Sequence, residues 1–154
     1  MKTDKHKSIT DIHKTQIGLL EPKLSYKVQG CIFEVANKYG KGLKEIIYQK
    51  ALEEEFEKQN LKFESQKRIK IHSLDTGKTL GTYIPDFILE DKIILELKSS
   101  SFTTQIDIAQ QRSYLRASTY EIAYLVNFGT PSLDIRRSIF TNNRKQFITK
   151  ISVS

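Results

Sequence analysis

Three side chains that could hydrolyse a phosphodiester lie close together in the middle of this 154-residue chain. Asp86 follows a proline, and Glu96 and Lys98 stand two residues apart further along. Carboxylate oxygens are the ligands that Mg²⁺ and Mn²⁺ prefer, and a lysine amine is a compact positive charge. The same residue types are also common on solvated strand faces, so their surroundings decide between the two interpretations.

The sequence around these residues predicts two short strands with a polar turn at residues 90–92 between them. Side chains alternate along a strand, so Glu96 and Lys98 share one face of the second strand. Both strands are apolar on both faces, which is typical of a covered sheet. Charged groups are almost never buried unless they are paired. We therefore expect Asp86, Glu96 and Lys98 to meet in one cleft, where a divalent cation fits between the carboxylates.

Composition and length predict one folded domain. Hydrophobic residues make up 38% of the chain and aromatic residues 10%, which excludes a wholly disordered protein. We predict a flexible N-terminal arm at residues 1–21, a single domain at 22–140 and a C-terminal tail at 141–154. No apolar run reaches the roughly 20 residues of a membrane span, so the predicted location is the cytoplasm. The single cysteine, Cys31, is interpreted as a buried thiol.

The charge balance indicates the kind of partner. Lys and Arg number 25 against 18 Asp and Glu, a formal net charge of +7. An excess of positive charge favours a polyanion, and with a candidate metal site nearby it favours nucleic acid over a membrane.

Two helices are predicted before the first strand. The first covers residues 24–39 and ends at a glycine-rich stop. The second covers residues 43–59. Its predicted inward stripe is Leu43, Ile46, Ile47, Ala51, Leu52 and Phe56. Its predicted solvated face includes Glu53, Glu54, Glu55 and Glu57. Glu45 begins this helix close to the apolar stripe and away from the acidic face.

The remaining pattern predicts a small mixed sheet. Residues 63–73 alternate and predict a strand that forms a hairpin with residues 79–89, with His72 at the surface and a strand irregularity at Pro85. Thr103 or Thr104 caps a helix that continues to residue 119. Residues 121–128 predict a buried strand, which the intervening helix makes parallel to the strand of Glu96. Residues 135–140 predict an edge strand. The fold class is therefore α/β, with a small mixed central sheet flanked by helices.

This order of elements and these motifs resemble the PD-(D/E)xK nuclease superfamily. Pro85-Asp86 matches the PD motif, and Glu96-Leu97-Lys98 matches the ExK motif. The resemblance implies a restriction-endonuclease-like core. It also implies phosphodiester hydrolysis with Mg²⁺ or Mn²⁺ as the cofactor.

Two further motifs narrow the resemblance. Gly42, Glu45 and Tyr48 match the signature of the GxxExxY family of small prokaryotic proteins. Gln110 and Tyr114 match the Q-x-x-x-Y motif of RecB-like and lambda-exonuclease-like nucleases, which implies exonuclease-like action as one form of the activity.

The resemblance implies residue roles that the structure can locate. The implied catalytic residues are Asp86, Glu96, Lys98 and Glu45. The implied metal ligands are Asp86, Glu96, the Leu97 backbone carbonyl and Glu45. The expected substrate contacts are Gln110, Tyr114 and Tyr48, together with the positively charged Arg112 and Arg116.

The predicted function is a metal-dependent nuclease acting on DNA, either as a monomer or as a homodimer, with or without a further protein partner. Two alternatives stay open. One is a non-catalytic DNA-binding or accessory module that retains the nuclease fold. The other is a dimeric, structure-selective junction resolvase.

Overall fold

The computed structural model describes residues 20–151. The predicted arm at residues 1–21 lies outside them except for Leu20 and Glu21, as do residues 152–154 of the predicted tail. The boundaries of the single domain stay a prediction. The elements are α1 (Pro22–Tyr39), α2 (Glu45–Lys58), β1 (Phe63–Ser65), β2 (Ile69–His72), β3 (Thr79–Tyr83), β4 (Phe87–Leu89), β5 (Ile93–Lys98), α3 (Gln105–Arg116), β6 (Ile122–Asn127), β7 (Asp134–Ile139), a 3-10 turn (Asn142–Arg144) and α4 (Ile148–Ile151).

A five-stranded mixed sheet in the order β1-β4-β5-β6-β7 forms the centre of the fold. β5 and β6 are parallel, and the other neighbouring pairs are antiparallel. A parallel pair needs a crossover connection, which α3 provides. The structure thus confirms the α/β prediction, the parallel strand after the helix and the edge strand β7.

The central strand β5 contributes side chains to a core on each face of the sheet. Ile93, Leu95 and Leu97 point into the main core, which α1 and α2 cover. Ile94 points into the second core, together with Leu115 of α3 and residues of the β2–β3 hairpin. Burying each such aliphatic side chain stabilises the fold by about 1.5–3 kcal/mol. Even-numbered residues of β5 therefore face α3 and the hairpin.

The predicted hairpin between residues 63–73 and 79–89 is confirmed in its pairing, but it is divided between two sheets. β1 pairs with β4 in the central sheet, whereas β2 pairs with β3 in a separate two-stranded sheet. Gln66 adopts a left-handed backbone conformation, with φ of 57°, between β1 and β2. Pro85 lies between β3 and β4, and proline cannot donate to a strand ladder. These two breaks allow β2 and β3 to leave the central sheet as a unit.

The predicted inward face of α2 is partly wrong. Leu43 precedes the helix and is 38% exposed. Ile46 is 51% exposed and Ile47 is 43% exposed. Ala51, Leu52 and Phe56 are buried as predicted, and the helix also buries Tyr48 and Glu55. Glu55, predicted on the solvated face, tolerates burial because Nζ of Lys38 lies 2.7 Å from its carboxylate and Nζ of Lys58 lies 3.3 Å from it.

Two smaller predictions have opposite outcomes. Cys31 is buried as predicted, and burial raises the pKa of its thiol to about 11. His72 is buried, not at the surface. Its Nδ1 lies 3.0 Å from the Gly77 carbonyl oxygen, and its ring stacks on Phe147. The C-terminal segment of the described chain therefore covers the hairpin turn.

Among the helices of residues 20–151, none combines the length and the hydropathy that a bilayer crossing requires.

Candidate active site

Asp86 lies close to Glu96, just before β4. β4 and β5 pair antiparallel, with Phe87 opposite Leu95, and Asp86 is the residue before Phe87. The Asp86 carboxylate accepts from the N–H of Leu97, and its charge raises the pKa of Glu96, so the two carboxylates are neighbours. Glu96 points away from the main core, because Leu95 and Leu97 on either side of it point into that core.

Asp86 is held by two hydrogen bonds. Its Oδ2 accepts from the backbone N–H of Leu97 at 2.7 Å, and its Oδ1 accepts from Nε2 of Gln66 at 3.4 Å. Pro85 is buried and lies between β3 and β4, and Asp86 forms a bend before β4 and is not part of a strand ladder. Burial raises the pKa of Asp86, while the Leu97 N–H and the Lys98 charge oppose the shift. The carboxylate is thus poorly solvated and fixed in direction.

The surroundings of Glu96 disfavour its ionised form. Burial raises its pKa to about 6, and the negative charges of Asp86 and Glu45 act in the same direction. A hydrogen bond from the hydroxyl of Tyr83 to Oε1 and the charge of Lys98 partly offset this effect. Tyr83 in turn stacks on Tyr114, with ring centroids 4.3 Å apart. At neutral pH Glu96 is mostly ionised, but its environment favours a compensating positive charge.

Lys98 supplies part of that positive charge. It lies on the same face of β5 as Glu96, and its side chain is 31% exposed. Its Nζ lies 3.8 Å from Oδ1 of Asp107, in the first turn of α3. The backbone N–H of Asp107 donates to Oγ1 of Thr104 at 3.0 Å, as the predicted helix cap requires. The cap of α3 thus positions the partner of Lys98.

Glu45 reaches the site from the start of α2. The segment before it is tied to the ends of β5 and β6, because the Gly42 N–H donates to the Phe128 carbonyl at 3.3 Å and the Ser99 hydroxyl donates to the Leu43 carbonyl. These contacts bring Glu45 close enough for its charge to raise the pKa of Glu96. The structure therefore brings together the four residues that the sequence proposed for catalysis, whose roles stay predictions.

Tyr48 does not join them, which contradicts its predicted substrate contact. Its side chain is fully buried and stacks on Phe128 with ring centroids 4.2 Å apart. Its hydroxyl donates to the Gly40 carbonyl at 2.7 Å and accepts from the Leu43 N–H at 3.1 Å. Tyr48 therefore holds the loop before Glu45, and it offers no surface to a substrate.

The face of α3 toward the hairpin carries one expected substrate contact and one residue that the sequence reasoning missed. Tyr114 is partly buried against Tyr83, whereas Gln110 is exposed. Gln111 is buried: its Nε2 donates to the Tyr124 carbonyl at 2.8 Å, and its side chain also hydrogen-bonds Tyr83. Its spacing from the buried Ile108 and Leu115 was the available signal.

Arg112 and Arg116 lie on the other flank of α3. Nε of Arg112 is 3.4 Å from Oγ of Ser138 on β7, and Arg116 lies over the ring of Phe140 at 5.9 Å. The structure therefore does not bring these two residues together with the carboxylates.

The donors suit a hard divalent cation. Within residues 20–151 there is no cluster of three or more His, Cys, Asp or Glu side chains placed to hold one metal ion. However, Mg²⁺ usually retains waters and binds through one or two carboxylates. Asp86, Glu96 and the adjoining Leu97 peptide meet that requirement. Burial raises the pKa of both carboxyl groups, so a bound cation would stabilise their ionised forms. A cavity of about 620 Å³ lies near Glu90, at the end of β4 away from Asp86, and none of the predicted site residues lines it.

Comparison with known proteins gives one match. The model of the PD-(D/E)XK nuclease superfamily matches residues 22–138, which include every strand and helix from the start of α1 almost to the end of β7. No curated protein and no solved structure matches the chain. The matched range contains Asp86, Glu96 and Lys98, and it covers well over half of the sequence. This chain belongs to the PD-(D/E)XK nuclease superfamily.

Proposed function

We propose that this protein is a metal-dependent nuclease that hydrolyses phosphodiester bonds in DNA. One observation carries the proposal: the Asp86 carboxylate, bonded to the Leu97 N–H, lies near that of Glu96, and Lys98 shares the face of β5 that carries Glu96. Membership of a nuclease superfamily indicates the class of reaction, and nucleic acid as the substrate.

The two carboxylates bind the cofactor in this proposal. Asp86 and Glu96, with the Leu97 carbonyl, would hold Mg²⁺ or Mn²⁺, which would supply a Lewis acid and an activated water for attack on phosphorus, and Glu45 would orient that water. The pKa of Glu96 near 6 supports this role, because its ionised form is present at neutral pH and is poorly neutralised by the protein. A cation at this point offsets the cost of burying two like charges.

Lys98 acts on the phosphoryl group. Negative charge grows on the phosphoryl oxygens as the water oxygen bonds to phosphorus and the bond to the leaving oxygen breaks. An ammonium held beside the carboxylates stabilises that charge more in the transition state than in the ground state. Asp107, 3.8 Å from Nζ, keeps the lysine side chain at the site without burying it.

The hairpin and α3 keep this arrangement in place. Tyr83 hydrogen-bonds Glu96 and stacks on Tyr114, so a side chain from β3 and one from α3 restrain one catalytic carboxylate. Outer partners of this kind commonly change activity or metal affinity by about 10–100-fold when removed. Gln110, exposed on the same helix, is proposed to hydrogen-bond the substrate strand.

Membership of a nuclease superfamily favours an enzyme over the non-catalytic module, and no observation favours the junction resolvase. The GxxExxY assignment, the exonuclease-like action and the homodimer stay predictions.

The direct test is a cleavage assay. Labelled linear, circular and branched DNA, single-stranded DNA and RNA are each incubated with wild-type protein in Mg²⁺, Mn²⁺ or EDTA. We expect cleavage of DNA with metal and none with EDTA. Asp86→Asn should remove the activity, whereas Glu57→Gln, an exposed carboxylate on α2, should not.

A calorimetric Mn²⁺ titration of the same three proteins tests Asp86 as a metal ligand independently of cleavage. Equal Mn²⁺ binding by wild type and Asp86→Asn would contradict the metal site. Wild-type protein that cleaves none of the substrates in either metal would contradict the proposed function.

A further inference from the structure

An arginine-lined groove runs along the flank of α3 that faces β7. Two adjoining cavities of about 450 and 260 Å³ form it, and Arg116 and Phe140 line both. We call it the arginine groove and define it by Arg112, Arg116, Ser138, Phe140 and Arg144. The carboxylates lie on the opposite flank, where Tyr114 of α3 stacks on Tyr83.

Contacts within the groove hold the guanidinium groups in place without neutralising them. Cζ of Arg144 lies 4.3 Å from the centroid of the Phe140 ring, and Cζ of Arg116 lies 5.9 Å from it. Arg112 uses one of its five donors, at 3.4 Å from Oγ of Ser138. Within residues 20–151 no carboxylate forms an ion pair with Arg112, Arg116 or Arg144. Their N–H groups are therefore left to bind another acceptor.

Few charges other than Arg112, Arg116 and Arg144 bear on the groove. The Arg137 guanidinium lies on the other face of the sheet, where it donates to the Leu20 carbonyl at 3.1 Å and to Oγ of Ser25 at 3.4 Å and lies over the Tyr124 ring. The only acidic residue among those that line the two cavities is Asp75, at the edge of the smaller one. Guanidinium groups bind phosphate oxygens with charge-assisted hydrogen bonds that match their planar geometry.

The outer surface of α3 connects the groove with the carboxylates. Its exposed residues between the two flanks are uncharged: Gln105, Ile106, Ala109, Gln110 and Ser113. The one acid of the helix, Asp107, is paired with Lys98. A polyanion that crosses α3 therefore meets no unpaired negative charge. An α-helix is about 10–12 Å wide, and the major groove of a DNA duplex is about 12 Å wide.

We propose that the arginine groove binds the phosphate backbone of a double-stranded substrate, on the strand that does not lie at the carboxylates. α3 would lie in the major groove of the duplex, with one DNA strand on each flank of the helix. The inference rests on the proposed function, because it takes the strand at Asp86 and Glu96 to be the one that is cleaved. A single strand that occupies the carboxylate side has no second backbone to place against Arg112, Arg116 and Arg144.

Fluorescence anisotropy with a labelled duplex and a single strand of equal length tests this proposal. EDTA is present, so that nothing is cleaved. The test protein is the triple variant Arg112→Gln/Arg116→Gln/Arg144→Gln. The matched control removes three exposed positive charges from α1 and α2, which cover the other face of the sheet: Lys23→Gln/Lys27→Gln/Lys50→Gln. The charge-preserving variant with lysine at the three arginine positions separates lost charge from lost packing on Phe140.

We expect the arginine variant to bind the duplex about ten-fold or more weakly at low salt, with the slope of log affinity against log salt reduced by about 2–3. Its affinity for the single strand should change much less, and the lysine-replacement variant should recover most of the salt slope. The proposal is overturned if the arginine variant binds the duplex normally, loses both probes equally, or loses no more than the matched control.

The proposed function fails separately. Wild-type protein that binds duplex DNA through the arginine groove but cleaves nothing with Mg²⁺ or Mn²⁺ would contradict the nuclease and leave the groove in place. If the wild-type protein cleaves DNA but the arginine variant binds the duplex normally, the nuclease is supported and the arginine groove is contradicted.

Discussion

Tyr83 donates a hydrogen bond from its hydroxyl group to Oε1 of Glu96. The bond joins the separate β2–β3 sheet to the central strand β5 at the point where the two carboxylates meet. A hydroxyl that donates to a carboxylate stabilises its ionised form, which offsets part of the burial that raises the pKa of Glu96. The small sheet therefore bears directly on the chemistry of the candidate site.

Replacing Tyr83 with phenylalanine should weaken cleavage without removing it. The ring still stacks on Tyr114, but Glu96 loses its donor, so we expect activity to fall about ten-fold. The pKa of Glu96 should rise, so the pH at which cleavage reaches half its maximum should move upward. Cleavage rates measured across pH test this. Tyr120→Phe is the control, because its hydroxyl donates at 2.8 Å to Asp91, away from the site. An unchanged pH profile in Tyr83→Phe would show that the bond does not influence Glu96.

Glu96 should make the metal-free protein less stable as the pH rises. Its folded pKa of about 6 lies above the ordinary value of 4.5, so the folded state holds the proton more tightly than the unfolded state. The free energy of unfolding therefore falls between about pH 4.5 and pH 6, by about 1–2 kcal/mol from this group. Glu96→Gln keeps the acceptor for Tyr83 and removes this loss.

Urea denaturation in EDTA at pH 5 and pH 7.5 measures the effect. We expect Glu96→Gln to be more stable than wild type at pH 7.5, and the advantage to shrink toward pH 4.5. Glu57→Gln should show no such pattern. A variant less stable than wild type at pH 7.5 would mean that burial of the Glu96 charge costs nothing.

Lys98→Met should separate catalysis from binding. If the ammonium stabilises the phosphoryl group in the transition state, turnover should fall by about 10²–10³-fold while DNA affinity changes little. Single-turnover cleavage and anisotropy measure the two quantities. Lys70→Met, on the exposed side of β2, is the control.

A structural role for Lys98 has a different signature. Without the amine, the two carboxylates would repel each other, the metal-free variant would unfold more readily, and Mg²⁺ would restore much of the loss. Thermal melts with and without Mg²⁺ decide between the roles. A strongly destabilised metal-free Lys98→Met, together with wild-type protein that never cleaves, would favour the non-catalytic module.

Lys145 should stabilise the end of α3. Its buried Nζ donates to the carbonyls of Leu115, Ser118 and Tyr120, at 3.1, 2.8 and 2.6 Å. Lys145→Met leaves buried carbonyls without a donor, so we expect a loss of about 2–4 kcal/mol in the free energy of unfolding. Lys150→Met, which loses one exposed hydrogen bond to the Asp75 carbonyl, should cost much less. Equal losses in urea denaturation would contradict a special role for Lys145.

The candidate site was predictable because its pattern is local. Strand alternation and one tight turn predict that Asp86, Glu96 and Lys98 lie close together on one side of the sheet. The alternation and the turn can both be recognised within sixteen consecutive residues. The Thr104 cap of α3 is similarly local, since a side chain and a backbone N–H three residues later form it. Such features depend on the chain's own spacing and not on distant partners.

The errors in the predicted burial of α2 arose where contacts with residues distant in the sequence determine which side chains are buried. Glu55 could be buried because Lys38, on another helix, pairs with it, and a helical period cannot reveal such a partner. The same packing left Ile46 and Ile47 exposed and used Tyr48 to hold the loop before Glu45.

The sequence by itself determined the covered sheet, the order of its elements and the carboxylates that lie close together, because spacing along a strand or helix specifies which side chains share a face. Only the tertiary structure decided the rest. It placed Glu45 near Glu96, tied Tyr83 to Glu96 and moved Arg112 and Arg116 to the far flank of α3. These relationships join residues from separate elements, and their distances depend on how those elements pack.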